Sequence, residues 1–184
     1  MNKFIGHLKT ITKHKLLVCK HCFKCGIYKR GLCHDNSKFG PTEFFAGVRN
    51  FQGTRSPIDA EKEKYGYSLA WQHHKGHNPH HWEYWIDNLG ERKNTPIQIP
   101  EEYVIEMICD WLGAGQTYLG DKWNQHEPLS YYNKVRSGRI IHPATEQIIL
   151  YLLTIIDEQG LESFYKAVRN KSYLRYVEGK INED

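Results

Sequence analysis

The sequence predicts an all-α fold, a single-domain helical bundle, and three observations carry that expectation. Apolar residues recur at spacings of three and four along most long segments. The segments are bounded by Pro, Gly or a capping hydroxyl, which are helix start and stop signals. No stretch shows convincing strand-like alternation. The 184 residues are enough to bury a real core in one domain. We expect residues 1–170 to form that domain and 171–184 to be a polar tail, ordered only in part.

The first helix is expected over residues 3 to about 25, where Phe4, His7, Ile11, His14 and Val18 recur on one stripe and His21 and Cys25 continue it. Seven residues fall only about 20° short of two full turns, so His7, His14 and His21 share the inward face. Gly26 ends this helix, and Gly31 marks a second break before a short helical turn carrying His34, Asp35 and Lys38. Pro41 opens a helix ending near Gly53. Ser56-Pro57-Ile58-Asp59 then starts another, with a capping hydroxyl, Pro at the first position and a carboxylate three residues on. It should run to about Lys75, with Gly76 as terminator. Asn78-Pro79 makes a bend, and His80 and His81 begin a short helix with Trp82 and Trp85.

Residues 90–98 read as a polar link, and Pro100 begins a helix through Val104, Met107, Ile108 and Trp111. Asp110 shares a buried stripe with Tyr103, Met107 and Ala114. Gly113 and Gly115 are small enough to let another helix come close. Leu129 to Ser137 form a short helix ended by Gly138. The segment from His142-Pro143 to about Glu158 is apolar nearly all round, as suits a central buried helix. A last helix covers Leu161 to about Asn170.

Composition narrows the chemistry. The longest apolar run, Ile148 to Ile156, is interrupted by Tyr151 and Thr154 and is far below the roughly 18 residues of a membrane span. The N-terminal MNKFIGHLKT has no apolar signal core, so we expect a cytoplasmic protein with no membrane association. Lys and Arg exceed Asp and Glu by 25 to 21, and the basic residues are scattered. With no basic stripe or recognition helix, nucleic acid is not the expected partner. Five Cys without a secretory signal argue against a disulfide scaffold. Cys19, Cys22 and Cys25 fan over about 120° of a helix and cannot share one ion.

The unusual number is eleven His, five of them in the nine residues from His73 to His81. Trp71, Trp82, Tyr84 and Trp85 surround them, which implies a water-poor setting. Imidazoles buried together must stay neutral or be paired, and metal coordination answers both demands. An isolated His-Asp dipeptide is usually a surface pair. Here His34-Asp35 joins His14 on an inward face, His73 and His74 at a helix end, and Asp110 as a carboxylate that needs a partner or an ion.

That order of His, His-Asp, His-His and Asp resembles the HD superfamily of metal-dependent phosphohydrolases, which are all-helical. His14-Lys15-Leu16-Leu17-Val18 looks like the family's first His followed four residues later by Val, and His34-Asp35-Asn36-Ser37-Lys38 looks like its HDxxK motif. The resemblance covers roughly residues 4–118. The chain is more similar still to an uncharacterised bacterial and phage family, on the stretches HLKTITKHK, GLCHDNSKF, AWQHHKGHNPHHWEYW and EMICDWLGAG. Two features depart from the general HD pattern. The middle histidines lie closer together than in two-metal HD enzymes, and HNPHHWEYW is an addition.

The resemblance implies one ion held by His14, His34, Asp35 and Asp110, and a second held by two or more of His73, His74, His80 and His81. Asp35 would bridge the ions and orient the attacking hydroxide, and Lys38, one turn past His34, would clamp a phosphate oxygen. The expected cofactor is one or two divalent transition-metal ions, with Fe, Mn, Zn, Co and Ni all suited to His and carboxylate ligands. The expected activity is phosphohydrolysis of a nucleotide or small phosphomonoester, so the partner is a small-molecule phosphate. An HD-type di-iron oxygenase and a non-catalytic metal-binding protein are the alternatives. Oligomeric state is left open.

Overall fold

The computed structural model describes residues 2–181, and it is an all-α single domain with one small hairpin. Helix α1 (Lys3–Cys25) starts at Asn2, whose side chain accepts from the Phe4 N–H, and stops at Gly26 with φ 83°. His7, Ile11, His14, Val18, His21 and Cys25 are all on its buried side, as the stripe predicted. Helix α2 (Tyr28–Cys33) follows. Gly31 lies inside it rather than breaking it, because an added Cβ would sit 2.8 Å from the Cys22 Cβ. The glycine is there for close approach of α2 to α1. The break falls at His34 instead, and a 3-10 turn over Asn36–Phe39 follows.

Helix α3 (Pro41–Asn50) has Pro in its first turn. The single helix expected from Ser56 to Lys75 is two, α4 (Pro57–Tyr65) and α5 (Leu69–His77). Gly66 ends α4 with φ 78°, and the Ser68 hydroxyl restarts the chain by accepting from the Trp71 N–H. Gly76 is carried inside α5. A 3-10 turn spans Trp82–Trp85. The expected polar link is partly a hairpin, β1 (Ile86–Leu89) antiparallel to β2 (Arg92–Pro96), in the register Ile86 to Pro96 and Asp87 to Thr95. Too short and polar to alternate visibly, it had no readable strand pattern.

Helix α6 (Glu101–Leu119) packs along α1. At their crossing, a Cβ on Gly113 would lie 2.5 Å from the Val18 Cγ2, so this glycine does what the sequence predicted. Helix α7 (Glu127–Val135) leads to α8 (Pro143–Arg169), which is capped by the His142 side chain and interrupted at Gly160 with φ 81° and ψ 178°. The two expected helices over this region are therefore the two arms of one bent element. Val18, Ile108, Leu112, Ile149, Leu152 and Ile156 are buried in the main core. The segment read as a polar tail is helix α9 (Ser172–Ile181) as far as it is described. Tyr173 is buried there, and its hydroxyl donates to Glu101 at 2.7 Å. The final residues 182–184 of the expected tail lie outside the described residues. No helix among the described residues is long and apolar enough to cross a membrane.

Candidate metal centre

Neighbouring residues on a helix point about 100° apart, so His34 and Asp35 can serve one centre only if the helix ends between them. It does. His34 leaves α2 with φ −51° and ψ 128°, and Asp35 takes the left-handed conformation at φ 53°, which Asp tolerates better than most residues. Lys15 on α1 secures the turn: its ammonium donates to the carbonyls of Leu32 and His34 and to Asn36 Oδ1 at 3.0, 2.6 and 2.6 Å.

Two four-residue groups result, His14, His34, Asp35 and Asp110, and Asp35, His74, His80 and His81. Within each, one donor atom per residue lies within 4.8 Å of all the others. Asp35 belongs to both. Its Oδ2 is 3.3 Å from both His14 Nε2 and His34 Nε2, and its Oδ1 is 3.3 Å from His74 Nε2 and 3.4 Å from His80 Nε2. Asp110 Oδ1 completes the first group, 3.0 Å from His14 Nε2 and 3.5 Å from His34 Nε2. A tetrahedron of bonds of about 2.05 Å has edges of about 3.3 Å. The observed separations are those of atoms placed around a divalent ion.

The donor set fits such ions on a second ground. Asp35 Oδ1, both ring nitrogens of His80 and His81 Nε2 are buried without a hydrogen-bond partner, and buried polar atoms ordinarily have one; Asp35 Oδ2 has the Lys38 ammonium beside it. In the first group, His34 Nε2 faces His14 Nε2 at 3.4 Å beside two carboxylates. Imidazole nitrogens and anionic oxygens converge on one region, where a cation can replace the shared protons. These buried His, Asp and Glu groups can therefore hold a metal ion.

Electrostatics across the centre follow the same pattern. Burial opposes charge on Asp35, but His34 and Lys38 outweigh it and hold the carboxyl well below the usual range. Burial likewise raises Asp110, and hydrogen bonds with His14 and His34 bring it well below. His34 is pulled down by burial and pushed well above its ordinary value by Asp35, Asp110 and Glu106. His81 goes the other way: burial, His80 and His74 hold it far down, so its ring is neutral. The two carboxylates and His81 are in the protonation states a ligand needs, whereas His34 and His80, both raised by neighbouring carboxylates, must give up a proton when an ion binds.

Two expected site residues have distinct places. Lys38 Nζ is 2.5 Å from Asp35 Oδ2, with a side chain 24% exposed, so its charge sits on the bridging carboxylate at the edge of the centre. His73 is in neither group, a correction to the expected ligand set. Its side chain is 33% exposed, its Nδ1 is 2.6 Å from Glu43 Oε1, and its ring stacks on His77. On α5 it is turned away from Asp35 by the same 100° that brings His74 in.

Sequence reasoning missed the residues that hold the imidazoles from behind. Glu43 Oε2 accepts from His74 Nδ1 at 2.7 Å, and Asn78 Nδ2 donates to the His74 carbonyl at 2.7 Å. Glu106 Oε1 accepts from His34 Nδ1 at 2.9 Å and lies 3.1 Å from His80 Nδ1. Arg30 Nε holds its other oxygen at 2.7 Å. One signal could have found Glu106: it precedes Asp110 by four residues and shares its helix face. Glu43 had none, since its role depends on how α3 meets α5.

The open side of the centre is formed by Lys38, Asp110 and His14, whose side chains are 24, 13 and 9% exposed. No curated protein and no solved structure matches the chain significantly. The profile of a family of unknown function (DUF5662) matches residues 3–155, a span that includes every side chain of both donor groups. By that match, the chain belongs to the family of unknown function DUF5662.

Proposed function

We propose that this protein is a metal-dependent phosphohydrolase of the HD type, acting on a nucleotide or another small phosphomonoester. The observation that carries the reading is Asp35. One buried carboxylate turns an oxygen toward each of two four-donor groups, with a lysine ammonium 2.5 Å from it. Divalent ions bound there supply Lewis acidity, lowering the pKa of a water and offsetting phosphate charge.

The chain's own residues do the rest. Asp35 orients the attacking water between the two donor groups. Lys38, at the solvent edge, takes a phosphate oxygen. His14 and Asp110 flank it and limit how the anion enters. As the water oxygen bonds to phosphorus, the ester P–O bond breaks, and the water's proton goes to the departing alkoxide. The products are an alcohol and inorganic phosphate.

The test is phosphate release from a panel of phosphomonoesters, using protein loaded in turn with Mn, Co, Ni, Zn or Fe. Release is expected with at least one metal. Lys38→Gln should lower kcat/KM by roughly 10–100-fold, a loss of about 1.4–2.7 kcal/mol of transition-state stabilisation, with metal content unchanged. No release from protein shown to hold its ions sinks the reading.

One observation favours a second reading, an HD-type di-iron oxygenase. The Asp35, His74, His80 and His81 group has three imidazoles for one carboxylate, with the Trp71 ring edge-on to His81 at 4.7 Å. That nitrogen-rich, aromatic-walled half suits iron and oxygen better than hydrolysis requires. Iron retained through anaerobic purification, with oxygen consumed when substrate is added, distinguishes this reading. Metal bound with neither activity leaves the non-catalytic alternative.

A further inference from the structure

Behind the two donor groups lies a carboxylate that neither of them uses. Glu106 is fully buried on α6, and its two oxygens do different things. Oε2 is taken by Arg30 Nε at 2.7 Å, and the Arg30 guanidinium rests over the Tyr103 ring at 4.4 Å. Oε1 is 2.9 Å from His34 Nδ1 and 3.1 Å from His80 Nδ1, and the two imidazoles lie with centroids 4.4 Å apart and planes tilted by 35°. His34 belongs to the first donor group and His80 to the second.

We propose that Glu106 is the positioning residue for both halves of the centre at once, setting His34 and His80 in the tautomer that turns each Nε2 toward Asp35. The inference rests on the two-ion reading above. An ionised carboxylate oxygen only accepts hydrogen bonds, so His34 Nδ1, which is hydrogen-bonded to it, carries its proton. His80 Nδ1 makes no hydrogen bond, but it lies 3.1 Å from the same oxygen, where a lone pair would be repelled, so its proton belongs there too. Once an ion displaces the other proton, each ring presents its Nε2 lone pair. Those are the nitrogens 3.3 and 3.4 Å from Asp35 Oδ2 and Oδ1. A carboxylate behind a ligating histidine is a common way to fix its tautomer and strengthen its donation. Here one oxygen does so for one ligand in each half.

His34, His80 and Glu106 also lie close enough together to form a third donor group, but it is no third metal site. The Arg30 guanidinium already supplies the positive charge at Glu106. An ion held through both Nδ1 atoms would also force each ring to surrender its second proton if Nε2 served Asp35's side. The expected stoichiometry is therefore two.

A glutamine at 106 meets conflicting demands. With its carbonyl toward the imidazoles, its amide N–H groups face Arg30, donor against donor. Turned round, it satisfies Arg30 but presents N–H groups to both Nδ1 atoms, which drives the ring protons to Nε2, facing the centre. Either way both halves suffer. Glu43→Gln is the control, because Glu43 holds His73 and His74 and touches only the second half.

The experiment titrates the metal-free protein with cadmium, read by calorimetry and by cadmium-113 NMR. The wild-type chain is expected to take two ions with two resonances. Glu106→Gln should weaken both steps by roughly 10–100-fold and shift both resonances, whereas Glu43→Gln should weaken and shift one. Should Glu106→Gln fail to fold, Glu106→Asp is read in the same way, since it keeps the charge while withdrawing the oxygen from both rings. Two ions bound, with the Glu106 variants altering one step or neither, overturns this inference and leaves the two-ion reading standing. No cadmium bound by the wild-type chain overturns both, and a third ion bound at comparable affinity overturns the exclusion at Glu106.

Discussion

His73 and His74 are adjacent on α5 and have different surroundings: one reaches solvent beside His77, the other is buried with Nε2 3.3 Å from Asp35. Metal-to-protein ratios should therefore separate them. His74→Ala is expected to lose one ion per chain, and His73→Ala to keep the wild-type ratio; equal losses would remove α5's assigned orientation. Asp110→Ala should empty the first donor group, because two imidazoles and Asp35 are then left with no outer carboxylate. A different residue contributes to acid stability. His7 is buried against Phe44 and Phe51 with Nδ1 unpartnered, and burial, helped by Lys38, lowers its pKa to about 4 from 6.5. Above pH 6.5 both folded and unfolded chains carry it neutral, so it adds no pH dependence there. Below that, the unfolded chain takes up the proton first, and the fold loses stability as pH falls from about 6.5 toward 4. Denaturant melts across that range should show a shallower acid loss in His7→Leu than in the wild type; parallel curves would refute the assignment.

At the scale of elements, the centre depends on how closely α1 and α6 approach, because α1 carries His14 and α6 carries both Glu106 and Asp110. Gly113 sets that approach, with Val18 in the space a side chain would need. Gly113→Val is expected to cost about 1–3 kcal/mol by overpacking, measured by thermal or urea unfolding. It should also weaken cadmium binding, since separating the helices separates His14 from Asp110. Unchanged stability would mean that the two helices can shift freely. From the sequence Gly31 read as a break and Gly113 as a contact, yet both are contacts. A glycine's purpose depends on what faces it: Gly113 faces Val18, and Gly31 faces Cys22 inside a continuing helix. The division of α4 from α5 was equally hard to read, because Gly66 and Ser68 lie within a stretch whose helical propensity continues on both sides.

For the whole molecule, the centre ties four separated parts of the chain together: α1, the turn after α2, the α5 region to His81, and α6. Ions that bind only this assembled state stabilise it by about 2.7 kcal/mol each at a hundred times Kd. For a domain of this size that is a Tm increase of roughly 5–10 °C per ion. Scanning calorimetry with and without a chelator should show it, and an unchanged Tm after verified metal removal would argue against a centre formed by folding. By itself the sequence determined the helical class, the inward face of α1 and the division between a helix ending near Glu158 and one starting at Leu161. These follow from local periodicity, from caps and from residue chemistry, all carried within one short segment. Only the tertiary structure decided that Asp35 turns one oxygen to each donor group, that His74 and not His73 faces it, and that Glu106 stands behind two imidazoles from different elements. Those facts depend on the angle and distance at which helices far apart in sequence meet, and no local pattern of residues encodes a distance between them.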